Sequence, residues 1–486
     1  MSHEGSIQLR EQSSAPDFEV EEHRTIEQEP LDIDQTTSRR HDSNTKRACV
    51  LIGNGLLQLP IWGFAMSYGV FQEYFATNWT LTGNPDLTGI IGTTSNGVMY
   101  LSMPVLFALF TRRWARHRQA AALSGAALAC ASFLLSSFST DVWHLVATQG
   151  VLAALGCALM YSPTTLSLGE WFGAGGNRAL AYGVTLSCKN IAGSACPFVL
   201  RGLLDRYELR LAVRVWAALV AGTSIPAIFL VPAYRRPPGA GLAGLRARKI
   251  PWRFLRHRTI YVYSLAIALQ SSGYGIPQTY LNTYAHDVAL LSQTSATLLL
   301  TIFNLPGIIS SSFFGYLSNN SNKDNNAPNT NTNRTKTLLS LSAPAVTSIP
   351  ALGSALSAFL FWGLTTQGSM ALLVLFSVTF GFFAGGYSAT WGSVLDELER
   401  EARASNEAVD TGMLYGLLNG ARGVGYVSGG LAGVPLLRAG MGNAAAAAGR
   451  FGYGTAYGPL IIFTGLSSVF GGWAVLWRWR KLLCLA

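Results

Sequence analysis

Charge is what this sequence has least of. Only 12% of its 486 residues are Asp, Glu, Lys or Arg, against about 25% in a typical soluble chain. Hydrophobic residues make up 49%, and the mean hydropathy is +0.28. Cysteine is also scarce. Cys49, Cys130, Cys157, Cys188, Cys196 and Cys484 form no Cys-x-x-Cys or Cys/His pattern, and most fall inside apolar runs. They read as small packing residues, with no metal site and no disulfide framework. The seven histidines, His3, His23, His41, His117, His144, His257 and His286, sit in tails or near the ends of apolar runs. No buried Ser/His/acid arrangement and no Gly-x-x-x-x-Gly-Lys loop occurs, which argues against an enzyme and against ATP-driven transport. No catalytic residue, metal or cofactor is expected. Acids are missing from the middle of every apolar run. Glu73, Asp86, Asp141, Glu170, Asp287, Asp396, Glu397 and Asp410 all lie near run ends.

What is present is apolar length. A bilayer core of roughly 30 Å takes about 20 apolar residues per helix. Twelve such runs are found, at 48–71, 88–111, 120–138, 143–166, 178–200, 211–233, 259–281, 295–317, 338–361, 369–395, 411–437 and 455–477. They are continuous rather than alternating, which excludes a β-barrel. In lipid each backbone polar group needs a partner within its own segment, so the runs must be helices. The expected fold is an all-α membrane protein of twelve transmembrane helices in two six-helix pseudo-repeats. Its parts are a disordered cytosolic tail at 1–47 without a signal peptide, a six-helix bundle at 48–233, a basic linker at 234–258 and a second bundle at 259–478. A flexible Asn/Ser/Thr-rich insert is expected at 318–337, and a short tail at 479–486.

The net charge of +10 does not signal nucleic acid, because the basic residues fall in short blocks between apolar runs. Arg112, Arg113, Arg116 and Arg118 follow the second run, Arg178 follows the fourth, and eight Arg or Lys from Arg235 to Arg258 follow the sixth. Lys323, Arg334, Lys336, Arg400, Arg403, Arg478, Arg480 and Lys481 fall on the same side, while Arg201, Arg206, Arg210, Arg438 and Arg450 fall on the other. That bias places both termini in the cytosol. Asn78-Trp79-Thr80 is then an extracellular glycosylation sequon, whereas those at Asn319 and Asn333 are cytosolic.

Two cations interrupt this pattern. Lys189 lies seven residues after Tyr182-Gly183 and eleven after Arg178; Arg422 lies seven after Tyr415-Gly416 and eleven after Thr411. Each is therefore about 16 Å deep along its helix. The matching strings mark the fifth and eleventh runs as equivalents in a repeat. A midplane cation is costly and rarely faces lipid. Neutralisation by helix carbonyls is the structural reading. The functional one is a cationic pair that lines a central cavity and binds an organic anion, with Arg suited to a carboxylate. Tyr68, Asn190, Gln270, Tyr274, Asn304 and Trp391 also interrupt apolar runs and are cavity candidates, although packing and helix-to-helix hydrogen bonds explain such residues equally. Pro60, Pro197, Pro277 and Pro306 are candidate kinks or hinges.

Several strings carry a resemblance. Ser67-Tyr68-Gly69-Val70-Phe71 in the first run, and Glu170-Trp171-Phe172 followed by Arg178, Leu180, Ala181 and Gly183, are similar to motifs of the monocarboxylate-transporter-like branch of the major facilitator superfamily, fungal members above all. The Arg112–Arg118 cluster resembles a degenerate form of that superfamily's loop motif, echoed by Gly315 and Leu317. The resemblance implies the major facilitator fold, a monomer, alternating access and a plasma-membrane location. It also departs from the family: Met66 stands where characterised carriers have Lys, and the eighth run lacks their Asp/Arg pair. Proton–lactate symport is therefore not carried over, and a coupling proton stays an open partner. The leading function is transport of an organic anion such as a monocarboxylate. The alternatives are export of a secondary metabolite or drug-like compound, and a transporter-like nutrient receptor that signals without transport.

Overall fold

The computed structural model describes residues 33–78, 81–82, 88–111, 114–173, 178–232, 252–326, 342–407, 410–444 and 451–477. The chain divides into units 1–45 and 46–486. Among the described residues the regular structure is helical, apart from one isolated bridge between Thr82 and Asp141. Eight helical stretches are long and apolar enough to cross a membrane: Asn44–Phe75, Ala115–Ser136, Val142–Phe172, Leu180–Leu230, Gln293–Ser318, Ala343–Trp362, Met370–Ala404 and Gly458–Trp477.

The helices are α1 (Ile33–Met66), α2 (Tyr68–Thr77), α3 (Thr88–Thr111), α4 (Arg118–Ser136), α5 (Val142–Leu145), α6 (Ala153–Gly173), α7 (Arg178–Leu230) and α8 (Arg258–Asp287). They continue as α9 (Gln293–Asn304), α10 (Pro306–Asn326), α11 (Ala343–Leu356), α12 (Met370–Gly386), α13 (Trp391–Ala404), α14 (Thr411–Ala444) and α15 (Gly458–Gly471). The helices α3, α8 and α14 are long but less apolar than the eight, and α14 packs against both of the others. Each keeps some apolar residues exposed, such as Val105, Tyr261 and Leu431, but much of its length is packed against protein. From Gln270 to Ala285 all but one residue of α8 is buried, glycine at 275 being the exception.

Several sequence expectations change. The first helix begins at Ile33 rather than near residue 48, so residues 33–47 of the expected disordered tail are helical. The fifth and sixth runs are joined in α7; one residue, Glu208, with φ 59° and ψ 176°, marks the break in place of a loop at 201–210. Part of the expected flexible insert, up to Asn326, extends α10. Residues 327–341, residue 233 with most of the basic linker (234–251), and the C-terminal tail lie outside the described residues. Pro60, Pro197 and Pro277 sit inside continuous helices, while Pro306 opens α10 after a break at Leu305.

Polar contacts lock several helix ends. Asp141 caps α5, accepting from the Trp143 N–H at 2.8 Å and from Thr82 Oγ1 at 2.9 Å. These bonds hold its carboxyl below the usual carboxylate range. Arg118 does not lie free in a loop: it is buried and forms a bidentate pair with Glu170 at 2.7 and 2.8 Å, tying α4 to α6. The five described cysteines are free thiols, as packing residues would be. Cys130 and Cys157 point at the carbonyls of Ala217 and Pro60.

Candidate functional site

α7 starts at Arg178 and α14 at Thr411, so Lys189 and Arg422 each sit eleven residues into a helix. Both are buried, with 7% and 6% exposure. The structure brings them to the same aromatic ring. Lys189 Nζ lies 3.4 Å from the Tyr100 hydroxyl of α3 and 4.0 Å from the centre of the Trp62 ring of α1. The Arg422 guanidinium carbon lies 5.0 Å from the Tyr100 ring, 5.5 Å from Tyr274 of α8, 5.7 Å from Tyr426 of its own helix and 5.8 Å from Trp391 of α13. Tyr100 and Tyr426 stack at 5.4 Å, and Trp62 meets Tyr100 at 5.2 Å. A second layer joins the first: Tyr182 stacks on Tyr415 at 5.4 Å, the Tyr415 and Tyr161 hydroxyls lie 3.3 Å apart, and Trp391 meets Tyr415 at 6.1 Å.

The local sequence explains this convergence. Tyr426 follows Arg422 by one turn and shares its helix face. Trp391 opens α13 directly after a 3-10 turn at Tyr387–Thr390. Glycines let α14 approach: a Cβ at Gly423 would stand 2.7 Å from the Leu101 backbone nitrogen, and one at Gly420 would strike Pro104.

The electrostatics are unbalanced. Among the described residues, no carboxylate lies within ion-pair distance of Lys189 or Arg422. Arg422 Nε is buried without a hydrogen-bond partner, as are the indole N–H groups of Trp62 and Trp391. Facing rings stabilise a desolvated cation by about 2 kcal/mol or more each, while burying an isolated, unpaired charge costs tens of kcal/mol. The cage therefore offers unused donors and net positive charge to an anion, set among π faces. A small cleft lined by Arg118, Gln119, Pro163, Thr164 and Ser167 lies elsewhere and shares no residue with the cage. Among the described residues there is no group of three potential metal ligands.

Of the other sequence candidates, Tyr274 and Trp391 join the cage. Asn190 instead donates to Ser311 Oγ at 3.0 Å, tying α7 to α10, and Asn304 to the Gly193 carbonyl at 3.1 Å, tying α9 to α7. The Tyr68 hydroxyl donates to the Thr88 carbonyl, joining α2 to α3 away from the cations. Gln270 is buried against Gly471 of α15. Asn78 is exposed at the end of α2, and its two sequon partners lie outside the described residues. Sequence reasoning missed Trp62, Tyr100, Tyr161 and Tyr426 as cage members. Tyr182 and Tyr415 mark the repeat in the sequence, which does not show them to be ring partners. Tyr426 had a signal, its one-turn spacing from Arg422.

Comparison with known proteins places this geometry in context. The model of the Major Facilitator Superfamily matches residues 50–430. The chain is similar to an MFS-type transporter of Gibberella moniliformis, 27% identical over 321 residues, which covers 66% of this chain and 70% of that one. It is similar to monocarboxylate transporter 13 of Rattus norvegicus, 28% identical over 395 residues, covering 77% and 78%. It is also similar to the aspyridones efflux protein of Emericella nidulans, 26% identical over 353 residues, covering 71% and 63%.

Proposed function

Because the chain belongs to the major facilitator superfamily, we propose that it is a secondary transporter of an organic anion, working by alternating access. In this reading twelve helices form two six-helix halves, 48–233 and 259–478, and each half supplies one cation. The chain is a monomer in the plasma membrane, with both termini in the cytosol. One observation carries the anion: Lys189 and Arg422, from α7 and α14, meet on Tyr100 with no carboxylate partner among the described residues and with Arg422 Nε unused. A carboxylate held between them completes the charge balance and bridges the halves, so that binding favours closure.

The ring lining favours a second, narrower reading, an exporter of a conjugated acid. Trp62, Tyr100, Tyr274, Trp391 and Tyr426 surround the cations, and flat faces stack on flat, unsaturated ligands better than on short aliphatic chains. A relative is named for efflux of aspyridones.

The test is uptake and counterflow in reconstituted vesicles with a panel of aliphatic and aromatic carboxylic acids. Lys189→Ala or Arg422→Ala should raise the apparent KM by about ten- to a hundredfold, the worth of a lost charged hydrogen bond. Arg422→Lys should recover part of this, because the bidentate fork is gone. Unchanged constants in both alanine variants would make the pair structural and would point to a neutral or cationic substrate. A preference for aromatic over aliphatic acids would select the narrower reading.

A further inference from the structure

Glu73 is the one buried Asp or Glu among the described residues, with 1% exposure. It lies in α2, one turn before the end that faces outward in the proposed topology. Arg201 of α7 approaches it with Nη1–Oε2 at 3.3 Å and Nη2–Oε1 at 3.4 Å. Charge-assisted pairs close to about 2.7–2.9 Å, as Arg118 and Glu170 do. Arg201 also has a second partner one turn along its own helix, Asp205 Oδ1 at 3.3 Å, which is largely exposed. Neutralising Glu73 would thus leave Arg201 paired.

The other face of Glu73 is closed by α8, the helix against which α2 packs. Asn282 of α8 is 1% exposed and stands close enough for its amide to act on the Glu73 carboxyl group, although neither its Nδ2 nor its Oδ1 makes a hydrogen bond of standard geometry. An amide can donate to a carboxylate or accept from a carboxylic acid. The charged groups around Glu73 are Arg201 and Asp205 on α7, and His286 on α8, which is paired with Asp287 Oδ1 at 3.1 Å. Helix α3 carries no Asp, Glu, Lys, Arg or His.

We infer that Glu73 is a proton-binding site that controls closure of the outward face, an assignment that rests on the transporter reading. When that face is open, Glu73 meets water and is ionised beside Arg201. A proton from the outer aqueous phase adds to a carboxylate oxygen and gives the neutral acid. Closure then brings Asn282 onto it, and the acid O–H donates to the amide oxygen, joining α2 to α8. Reopening breaks that bond and returns the proton to the outer phase. A neutral hydrogen bond survives desolvation at the closed face better than a carboxylate does.

The experiment needs no substrate, so its failure is separable from failure of the transporter reading. Spin labels at Asn78 and Leu290, both exposed, report the separation of the α2 and α8 ends by pulsed EPR on the full chain in nanodiscs. Acidification should raise the closed-to-open population ratio by about tenfold, the worth of one hydrogen bond gained in the closed state alone. Glu73→Gln, which mimics the neutral acid, should hold the short distance at every pH. Asn282→Leu should abolish the pH response with Glu73 intact, and His286→Gln should keep it. A wild-type distance that ignores pH would overturn the proposal. So would a response that survives in Glu73→Gln or disappears in His286→Gln.

Discussion

Tyr100 makes two separable contacts at the cage. Its hydroxyl takes the Lys189 ammonium at 3.4 Å, and its ring faces the Arg422 guanidinium at 5.0 Å. Tyr100→Phe keeps the ring and loses the oxygen, so it should disturb Lys189 alone. A net hydrogen bond is worth about 0.5–1.5 kcal/mol, which predicts a change in apparent KM of about two- to tenfold. Tyr100→Leu removes the ring as well and leaves both cations less compensated. It should weaken anion transport by about a further tenfold, in line with roughly 1 kcal/mol or more per desolvated cation–ring contact. Kinetics of the two variants in the same vesicles check this; equal defects would show that the ring does not matter. The two cations were legible in the sequence because a charge inside an apolar run is expensive and therefore conspicuous. The rings were not, since aromatic residues are ordinary members of apolar runs and their spacing along one helix says nothing about rings on four others. Glu73 shows the opposite failure. Its position near a run end suggested a hydrated boundary, and only the packing of α8 across it explains why it is buried.

Helix contacts in this chain depend on where side chains are missing. Along the α3–α14 contact, a Cβ at Gly416 would meet Phe107 at 2.9 Å and one at Gly423 would meet the Leu101 nitrogen at 2.7 Å, while Gly97 and Gly430 face Val427 and Thr93. The backbones approach closely because no side chain holds them apart. Gly423→Ala should destabilise the protein by about 1–3 kcal/mol through overpacking and should also disturb transport, since Arg422 is its neighbour. Gly222 of α7 has nothing within 4 Å of its would-be Cβ. There the helix preference for alanine acts alone, and Gly222→Ala should stabilise by about 0.5–1 kcal/mol. Thermal unfolding in detergent, followed by circular dichroism, compares the two; a stable Gly423→Ala protein would mean that α3 and α14 can separate at little cost. The glycines stood out in the sequence, but which of the 51 sit at a contact depends on helix rotation, which composition does not fix. Helix starts were more legible. Arg178 and Thr411 open α7 and α14 as expected, because polar residues end an apolar run abruptly. The expected loop at 201–210 contracts to a break at Glu208, because polar residues also fit a continuing helix when, like Arg201 with Glu73, they find partners within the protein.

For the whole molecule, orientation has the largest consequence, since it decides which face Glu73 guards. Cytosolic loops of membrane proteins keep Lys and Arg because translocating them is unfavourable. In the proposed topology the basic blocks at residues 112–118, 235–258 and 478–481 all fall on one side, with five arginines on the other. One of those five, Arg201, is buried against Glu73 and so does not act as a free loop charge. Removing it from the count strengthens the bias. The ends of α2 and α8 should therefore face outward and the tail before residue 33 inward. An epitope tag on that tail should stain only after permeabilisation of expressing cells. A glycosidase-sensitive mobility shift should vanish with Asn78→Gln alone and persist with Asn319→Gln or Asn333→Gln. Staining of intact cells, or loss of the shift through Asn319 or Asn333, would invert the topology. Glu73 would then face the cytosol, and the pH that sets its closure would be the internal one. The spin-label distance would still respond to acid in nanodiscs, where both faces share one solution, so the tag experiment alone decides the side.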